Sequence, residues 1–364
     1  MKLFFVTNNI NQTGGIERVI CNLSNEFQEV NDYMVNIISI HSTDLKSIYD
    51  FNSQIDIYHL NCRVLHYQNK LQRMKQTIIY KNELFTKLNQ IISDNVDIVI
   101  TCHPDIGMIM SDFRKKNKLS YKLIMTDHTH YQFYSDLRKL INFCTYKKAD
   151  KLIVLNNENK LFYKKKIKSV QSISNGIAKF ETSPVNYANK IIISVGRLEE
   201  VKGYDLLIDS FALISEKYPD WKIYLFGEGT QRRYIEEKII DLNLTNQIIL
   251  KGVTDNVYEA MNKVSFFVFP SRLEGFGLVL LEAMQSGLGC ISFKGAWSKE
   301  IIIDNYNGLI VDYLNIVEFS RAMEIMMKNE SFREEMGNNA KKSIEKFYIQ
   351  NVALQWDKLI KNMK

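Results

Sequence analysis

Hydrophobic and polar positions alternate along the chain in a pattern that predicts short buried strands separated by amphipathic helices. In the first half, short apolar runs predict strands at Leu3–Val6, Met34–Ile40, Ile98–Thr101, Lys122–Met125 and Lys151–Leu155. Apolar residues at helical spacing predict helices at Gly15–Glu29, Leu71–Asp94 and Ser135–Lys147. Such alternation is typical of an open parallel sheet with helices on both faces.

The alternation stops near Ser172–Gly176, and a polar stretch containing Pro184 precedes a second series of elements. The short apolar segments of this series are Ile191–Val195, Trp221–Phe226, Ile248–Leu250, Val257–Met261, Phe266–Phe269 and Gly289–Phe293. Its predicted helices are Tyr204–Lys217, Thr230–Leu242, one that begins at Leu278 and a closing helix at roughly Lys341–Met363. Because 364 residues are many for one core, we predict an α/β protein of two Rossmann-like domains, 1–174 and 175–344. The carboxyl ends of their strands are expected to face a shared cleft.

The stretch from Arg272 to Met284 (RLEGFGLVLLEAM) carries the most specific chemistry in the chain. An apolar run that ends at Pro270 predicts a buried strand before this stretch. Helix-forming residues from Leu278 to Gln285 predict a helix after its two glycines. Unpaired backbone N–H groups and the dipole at the start of that helix suit an anionic ligand such as a phosphate.

Two glutamates flank this predicted helix start. Glu274 and Glu282 lie eight residues apart. Their carboxylates are therefore expected to accept hydrogen bonds from hydroxyls on either side of bound phosphates. A ligand in which hydroxyls flank phosphates is a nucleotide-sugar, so the pair predicts a nucleotide-sugar site.

The same stretch resembles the donor-binding signature of retaining GT-B glycosyltransferases of family 4 (group 1), a type found in bacterial surface-polysaccharide synthesis. Further segments resemble markers of that family in the same order along the chain: Thr13–Arg18, Ser194–Gly203, Leu225–Gly229, Leu250–Val253 and Asn305–Val311. The resemblance implies a GT-B fold in which the C-terminal helix, residues 345–364, crosses back to the first domain. It also implies transfer of a sugar with retention of configuration.

Arg197 and Lys202 are the residues expected to bind the pyrophosphate of the donor. Arg197 offers a forked donor and Lys202 a point charge, and stabilising the charge of a leaving diphosphate is usually the largest catalytic contribution. The resemblance implies that Glu282 accepts the ribose hydroxyls and that Glu274 acts on the transferred sugar. It implies further donor contacts at Gly196, Gly252, Val253, Gly275, Phe276, Gly277 and Leu278, with Glu228 as an additional candidate. Residues 294–300 depart from the family's usual Gly-Pro-x-Glu, and Trp297 within them is a further candidate for contact with the donor.

In the first domain, Gly14 and Gly15 follow the first strand and open a helix, so the backbone there is expected to approach the diphosphate closely. Their spacing is not the dinucleotide-binding fingerprint, which disfavours a dehydrogenase. The resemblance implies that His128 is the active-site histidine and bonds the donor sugar. His103 is a second candidate, for which an acceptor-side role and a purely structural role stay open. Asn175 is an additional candidate.

The net charge of +6 is unevenly distributed, with +8 in residues 1–185 and −2 in the remainder. Basic side chains gather at Arg114–Lys118, Lys147–Lys148 and Lys164–Lys168, and they alternate with apolar residues between Arg63 and Lys87. A solvated basic face and docking on an anionic membrane are the two interpretations left open. Nucleic acid is not predicted as a partner, because no motif that reads DNA or RNA accompanies the charge.

Compartment and cofactor follow from what the sequence lacks. Five scattered cysteines have no redox or metal spacing, and no apolar run approaches the roughly 20 residues of a membrane span. The apolar start is too short for a signal peptide, so we expect a cytoplasmic protein that can lie at the inner face of the cell membrane. No Asp-x-Asp motif and no zinc spacing are present, so neither a metal nor another cofactor is expected.

These observations together predict a retaining hexosyl- or N-acetylhexosaminyltransferase. Its donor is expected to be a UDP-sugar or GDP-sugar, and its acceptor a glycan or a polyprenyl-linked glycan in cell-surface polysaccharide synthesis. Two alternatives stay open: a non-hydrolysing UDP-sugar epimerase of the same fold, and a non-catalytic subunit that binds a nucleotide-sugar or a glycan.

Overall fold

A computed structural model describes residues 1–12, 14–29, 33–43, 47–63, 70–254 and 256–363. The chain divides into two compact units, one formed by residues 1–176 with 349–364 and the other by residues 177–348. Two parts of the sequence predictions lie outside the described residues, namely Thr13 of the first glycine loop and positions 64–69 of the basic stretch. Each unit is built on one parallel sheet.

The sheet of the first unit has seven described strands, all parallel. They are β1 (Lys2–Thr7), β2 (Met34–Ser39), β3 (Asp56–His59), β4 (Ile98–Thr101), β5 (Lys122–Asp127), β6 (Lys151–Val154) and β7 (Val170–Ser172). Their order is β3-β2-β1-β4-β5-β6-β7, so the direction of winding reverses between β1 and β4. Ligands of open α/β sheets bind outside the carboxyl ends of the strands at such a reversal.

The helices of the first unit are α1 (Gly15–Glu29), α2 (Lys70–Asn89), α3 (Pro104–Asn117), α4 (Asp136–Tyr146) and α5 (Asn157–Lys164). Hydrophobic periodicity did not predict β3, β7, α3 or α5. Neither strand is a continuous apolar run, since the sequence of β3 is DIYH and that of β7 is VQS. Helix α3 begins with Pro104, which fits the first position of a helix because its missing N–H needs no partner there.

The second unit repeats the topology with six described strands. They are β8 (Ile191–Val195), β9 (Lys222–Phe226), β10 (Ile248–Gly252), β11 (Phe266–Phe269), β12 (Cys290–Phe293) and β13 (Gly308–Val311). The order β10-β9-β8-β11-β12-β13 places the reversal between β8 and β11. The prediction of two Rossmann-like parallel sheets is therefore confirmed.

Seven helices are described in the second unit. They are α6 (Tyr204–Ala212), α7 (Arg232–Asp241), α8 (Val257–Met261), α9 (Leu278–Gln285), α10 (Ala296–Ile301), α11 (Ile316–Lys328) and α12 (Glu330–Ser343). The helix predicted from Tyr204 is shorter than expected, because it ends at Ala212 and a separate 3₁₀ turn covers Ser215–Lys217. Helix α9 has the bounds that the sequence predicts for it.

The single closing helix predicted at Lys341–Met363 is wrong, because two helices share that segment. Helix α12 ends at Ser343, a 3₁₀ turn follows, and Tyr348 is extended with φ −62° and ψ 141°. The carbonyl of Phe347 accepts a hydrogen bond from the Ile177 N–H at 3.0 Å, which holds the break in place. The last helix, α13 (Ile349–Lys361), then begins afresh.

Helix α13 belongs to the core of the first unit, as the prediction of a helix crossing back requires. It packs against α1, and six of its side chains join the cluster around β1, β2 and β4: Ile349, Val352, Ala353, Trp356, Leu359 and Ile360. The Tyr33 hydroxyl also donates to the Asp357 carboxylate at 2.8 Å. Among the described helices, none is both long enough and apolar enough to cross a lipid bilayer.

Candidate functional site

The second unit brings two loops together at the reversal of its strand order. Strands β8 and β11 are neighbours, so the loops that follow their carboxyl ends lie side by side. The loop after β8 carries Gly196, Arg197 and Lys202, and the loop after β11 carries Glu274. This edge of the sheet therefore collects the charged residues that the sequence predicts for the donor.

Lys202 and Glu274 form an ion pair, with 2.6 Å between the Lys202 Nζ and the Glu274 Oε1. Both side chains are largely buried, and the Ser271 hydroxyl donates a second hydrogen bond to the same carboxylate oxygen at 2.9 Å. The sequence assigned Lys202 to the pyrophosphate and Glu274 to the sugar. Their contact means that one ligand can meet a cation and a carboxylate within a few ångströms.

Arg272 links the two loops through hydrogen bonds. Its backbone N–H donates to the Val201 carbonyl at 2.8 Å, and its guanidinium donates to both carboxylate oxygens of Asp205 at 2.7 and 2.6 Å. Burial opposes the charge on Asp205, but the Arg272 guanidinium outweighs it and holds the pKa of that carboxyl below its ordinary value. A bidentate, partly buried pair of this kind fixes geometry more firmly than an exposed ion pair.

Gly203 explains why a glycine follows Lys202. Its φ is +68°, and a Cβ at this position would lie 2.1 Å from the carbonyl oxygen of Pro270. Any other residue would be strained there and would also push the loop after β8 away from the loop after β11. Close approach of the two backbones is thus a condition for the contact between Lys202 and Glu274.

Helix α9 begins directly after the second glycine of the signature stretch. Gly277 caps it with φ +92°, a left-handed conformation that turns the chain from the loop into the helix. Glu282 lies on α9 and is only 4% exposed, whereas Gly275 and Leu278 at the loop are partly exposed. The Phe276 ring is buried edge-on against Phe347, so only its backbone is suited to a ligand.

The other predicted donor residues lie at the carboxyl ends of β8, β9 and β10. The Arg197 side chain is exposed, and the Gly196 carbonyl accepts a hydrogen bond from the Tyr204 hydroxyl at 3.0 Å. Gly252 ends β10 with φ +71°, and Val253 beside it is 71% exposed. Glu228 follows β9, where its carboxylate pairs with Arg232 and faces Gly252.

The prediction that Trp297 contacts the donor is wrong. Its side chain is only 2% exposed, and its Nε1 donates to the Ser292 hydroxyl at 3.4 Å. A Cβ on Gly295 would lie 2.4 Å from the indole ring, which shows how tightly the backbone covers it. Trp297 is a core residue of the second unit, so the departure from the family pattern around it alters packing rather than the donor surface.

The first unit places its candidate residues around its own reversal, between β1 and β4. Gly14 and Gly15 follow β1 and open α1, where the Tyr49 hydroxyl donates to the Gly14 carbonyl at 2.7 Å. His103 follows β4 and caps α3 without a side-chain hydrogen bond. His128 follows β5, one strand further along the sheet.

His128 is held uncharged by its surroundings. Its Nε2 lies 2.8 Å from the Thr126 hydroxyl, while its Nδ1 is enclosed and has no hydrogen-bond partner in the described part of the chain. Burial, and then the neighbouring His103, lower the pKa of His128 to about 3. Burial also lowers the pKa of His103. Both rings are neutral at pH 7, so they are suited to hydrogen bonding rather than to charge stabilisation.

His128 and Asn175 line one cavity inside the first unit. Its volume is about 20 Å³, which holds roughly one water molecule. Its other walls are mainly apolar side chains from β1, α1 and α13. Asn175 is buried beside this cavity.

Asp127, beside His128, has a structural role. Its carboxylate accepts hydrogen bonds from the hydroxyls of Tyr163 at 2.7 Å and Tyr134 at 2.9 Å, and from the Thr129 N–H at 3.0 Å. Burial raises the pKa of Asp127. The carboxylate thereby anchors the loop that carries His128 and has little capacity left for a ligand.

Sequence reasoning missed three residues that shape these edges. Ser271 and Arg272 lie within the signature stretch, but only the structure shows that they bond Glu274 and Asp205. Thr126 precedes His128 by two residues, which puts both side chains on one face of the extended chain. Among the described residues, no three His, Cys, Asp or Glu side chains lie close enough together to hold a metal ion.

Two Rossmann-like units, each with a reversal of strand order, and a last helix that joins the first unit define the GT-B class of proteins. Residues 178–343 match the family described as glycosyl transferases group 1. The second unit of the chain is therefore similar to this group of glycosyltransferases.

Full-length relatives and solved structures agree with this classification. An uncharacterized glycosyltransferase of Haemophilus influenzae is 26% identical, over 98% of both chains. The Campylobacter jejuni enzyme named GalNAc-alpha-(1->4)-GalNAc-alpha-(1->3)-diNAcBac-PP-undecaprenol alpha-1,4-N-acetyl-D-galactosaminyltransferase is 24% identical, over 100% of this chain and 99% of its own. The crystal structure of Anabaena HepE in complex with UDP and glucose has the same fold, with a TM-score of 0.79, 16% identity and 99% of both chains covered.

Proposed function

We propose that the chain transfers a hexose or an N-acetylhexosamine from a UDP-sugar or GDP-sugar to a glycan carried on a polyprenyl lipid. The contact between Lys202 and Glu274 carries this proposal, because it joins a cation for the pyrophosphate to a carboxylate for the sugar. The names of two similar proteins support the substrates. The Campylobacter relative is named for an undecaprenol-linked acceptor, and HepE was crystallised with UDP and glucose.

In the proposed reaction, the bond between the anomeric carbon and the phosphate oxygen breaks, and the leaving diphosphate takes the electron pair and gains one negative charge beyond those it already carries. Arg197 and Lys202 bind those charges, together with backbone N–H groups at the start of α9. The acceptor hydroxyl attacks on the same side of the sugar, and a phosphate oxygen takes its proton. This route retains configuration and needs no metal, since the chain itself supplies the cations.

His128 and Glu282 have supporting parts in this proposal. Neutral His128 hydrogen-bonds the donor sugar near its reacting face, and the buried carboxylate of Glu282 accepts the ribose hydroxyls. The proposed setting is the cytoplasmic face of the cell membrane, where a polyprenyl-linked acceptor is anchored. The basic first unit would contact anionic lipid there.

Calorimetric titration of UDP, GDP and their common sugar conjugates tests the proposal first. The parent is expected to bind one of the two diphosphates, equally well with and without EDTA. Lys202→Ala and Glu282→Ala should each weaken that binding by about tenfold or more, as expected for a lost charged hydrogen bond. Lys263→Ala is the matched control, because Lys263 also pairs with a glutamate at 2.6 Å but lies on the surface.

Activity with a polyprenyl-linked glycan then separates the alternatives. Release of the diphosphate together with an extended glycan supports the transferase, and the anomeric configuration of the new linkage reports retention. An epimerised UDP-sugar without extension would instead identify the epimerase. Binding without any turnover would favour a non-catalytic subunit. If both diphosphates fail to bind, or if Lys202→Ala binds as well as the parent, the assigned donor site is wrong.

A further inference from the structure

Helix α4 of the first unit has its apolar stripe on the outside. Leu137, Leu140, Ile141 and Cys144 follow the i, i+3, i+4, i+7 spacing of one helix face, and all four are exposed. The exposed fractions of the three aliphatic side chains are 69%, 55% and 41% in chain order. We call these four residues the outer α4 face.

The opposite side of α4 explains this orientation. Its buried residues include the polar side chains of Asn142 and Thr145 and the ring of Tyr146, which packs edge-on against Tyr163 at 5.3 Å. Tyr163 is one of the two tyrosines that bond Asp127. Phe143 is buried on this side as well. The buried side of α4 therefore combines aromatic rings with polar groups, and the outer α4 face is left for something else to cover.

Helix α13 shows what the same spacing does elsewhere in this unit. Ile349, Val352, Ala353 and Trp356 also follow the i, i+3, i+4, i+7 spacing, and all four are buried in the core. The same spacing of apolar residues is thus buried in α13 and exposed in α4. An apolar stripe that stays exposed on a folded protein marks an interaction surface.

The charge around the outer α4 face indicates what covers it. Residues 133–168 hold ten lysines and arginines against three aspartates and glutamates, a larger excess than that of the whole chain. Lys164, Lys165 and Lys168, at the end of α5 and just beyond it, are exposed and form no ion pair within the described residues. Helix α5 lies against α4, because the Phe162 ring is 5.3 Å from Phe143 and the Lys166 Nζ is 4.9 Å from the same ring.

We propose that the outer α4 face inserts into the headgroup region of an anionic lipid bilayer, while the lysines at the end of α5 bind lipid phosphates. Amphipathic helices with an apolar face and adjacent lysines bind membrane surfaces in this way. The proposal deepens the membrane contact proposed above by naming the surface that makes it. None of its residues belongs to the donor-binding set, so the two proposals can fail separately.

Cys144 allows a direct test, because it is the exposed one of the five cysteines, all of which lie in the described residues. An environment-sensitive fluorophore on Cys144 should shift to the blue with vesicles of phosphatidylglycerol and phosphatidylcholine in equal parts, and not with phosphatidylcholine alone. The matched control places the same label on Leu354→Cys in a Cys144→Ser background. Leu354 is 63% exposed on α13, far from the basic segment in sequence, and its label should not respond.

Vesicle co-sedimentation of unlabelled variants measures the two contributions. Leu137→Ser/Leu140→Ser should lower the affinity for the mixed vesicles by about tenfold, as should Lys164→Gln/Lys165→Gln. Leu354→Ser and Lys341→Gln/Lys342→Gln should change it by less than about twofold, since these residues are equally exposed but lie outside the surface.

Two outcomes would overturn the proposal. One is mixed-vesicle binding that is equal in the parent and in Leu137→Ser/Leu140→Ser. The other is a parent dimer that this double variant converts to a monomer, which would make a second copy of the chain the occupant. Calorimetric diphosphate binding in the same variants keeps the results separable. Intact nucleotide binding without vesicle binding would refute only the proposal that the outer α4 face binds the bilayer. It would leave the transferase proposal standing.

Discussion

The two sheets of this protein have the same winding, but the candidate residues at their carboxyl edges differ in charge. In the second unit the reversal between β8 and β11 gathers charge, with Lys202 against Glu274 and Arg272 against Asp205. In the first unit the candidate residue at the corresponding edge, His128, is kept neutral by burial, and we call its surroundings the neutral edge. One topology thus positions both a charged pair and a neutral histidine, and the loops decide which.

The largest expected effect removes the charge from the second edge. Lys202→Met should lower turnover by about 100- to 1,000-fold, the range found when one charge-stabilising donor is lost. His128→Gln should lower it by only about threefold to tenfold, the cost of one neutral hydrogen bond. The rate of diphosphate release measures both variants.

Lys263→Met is the control for Lys202→Met, since both lysines pair with a glutamate at 2.6 Å. Turnover of the control should match the parent. Equal losses in Lys202→Met and His128→Gln would contradict the division between a charged and a neutral edge.

A smaller effect tests how the backbone holds the charged edge together. Gly203→Ala should lower the free energy of unfolding by about 3 kcal/mol, because a positive φ is strained for alanine and the new Cβ meets the Pro270 carbonyl at 2.1 Å. Gly252→Ala has a similar φ but no backbone atom in the way, so it should cost about 1–2 kcal/mol. Urea denaturation of both variants gives the comparison.

Equal costs for the two alanine substitutions would show that the loop after β11 moves aside easily. The contact between Lys202 and Glu274 would then not depend on close backbone approach. A change in the diphosphate affinity of Gly203→Ala, measured at a temperature where the variant is folded, would show that ligand binding depends on this close approach of the two backbones.

The smallest effect concerns the neutral edge and depends on pH. The pKa of His128 is about 3 in the folded chain, against roughly 6.5 when unfolded. Between these values the unfolded chain binds the extra proton, so stability falls as the pH drops below about 6.5 and is unaffected above it. At pH 5 the loss should be about 2 kcal/mol. His128→Gln should not show this loss.

Stability curves of the parent and of His128→Gln from pH 8 to pH 5 provide the measurement. The difference in the free energy of unfolding between the parent and the variant should be constant above about pH 7. Below that pH the parent should lose stability relative to the variant. A constant difference over the whole range would mean that His128 titrates normally and that the first edge carries charge after all.

Local patterns in the sequence were sufficient for much of the fold. The bounds of α1, α9 and β8 agree with the predicted ones, because each is a continuous periodic or apolar stretch with clear ends. The order of the signature segments also indicated the group 1 glycosyltransferases. These predictions depend on residues that are neighbours in sequence.

The remaining errors concern burial and contacts, which the local pattern of the sequence does not determine. Trp297 looked available for a ligand until the structure showed the backbone at Gly295 covering its ring. The break at Tyr348 depends on a hydrogen bond between Ile177 and Phe347, which lie far apart in sequence. Periodicity likewise predicted the helix α4 but not which of its faces is buried, since that depends on the tyrosines around Asp127.

The position of α13 has a consequence for biosynthesis. The core of the first unit includes Ile349, Val352 and Trp356, which leave the ribosome only after the whole second unit has been made. Domains usually fold in the order of their synthesis. Here the unit that is made first has to wait for the last segment of the chain before its core is complete, while the second unit has all of its residues earlier. A chain released after residue 348 would therefore contain all residues of the second unit but an incomplete first one.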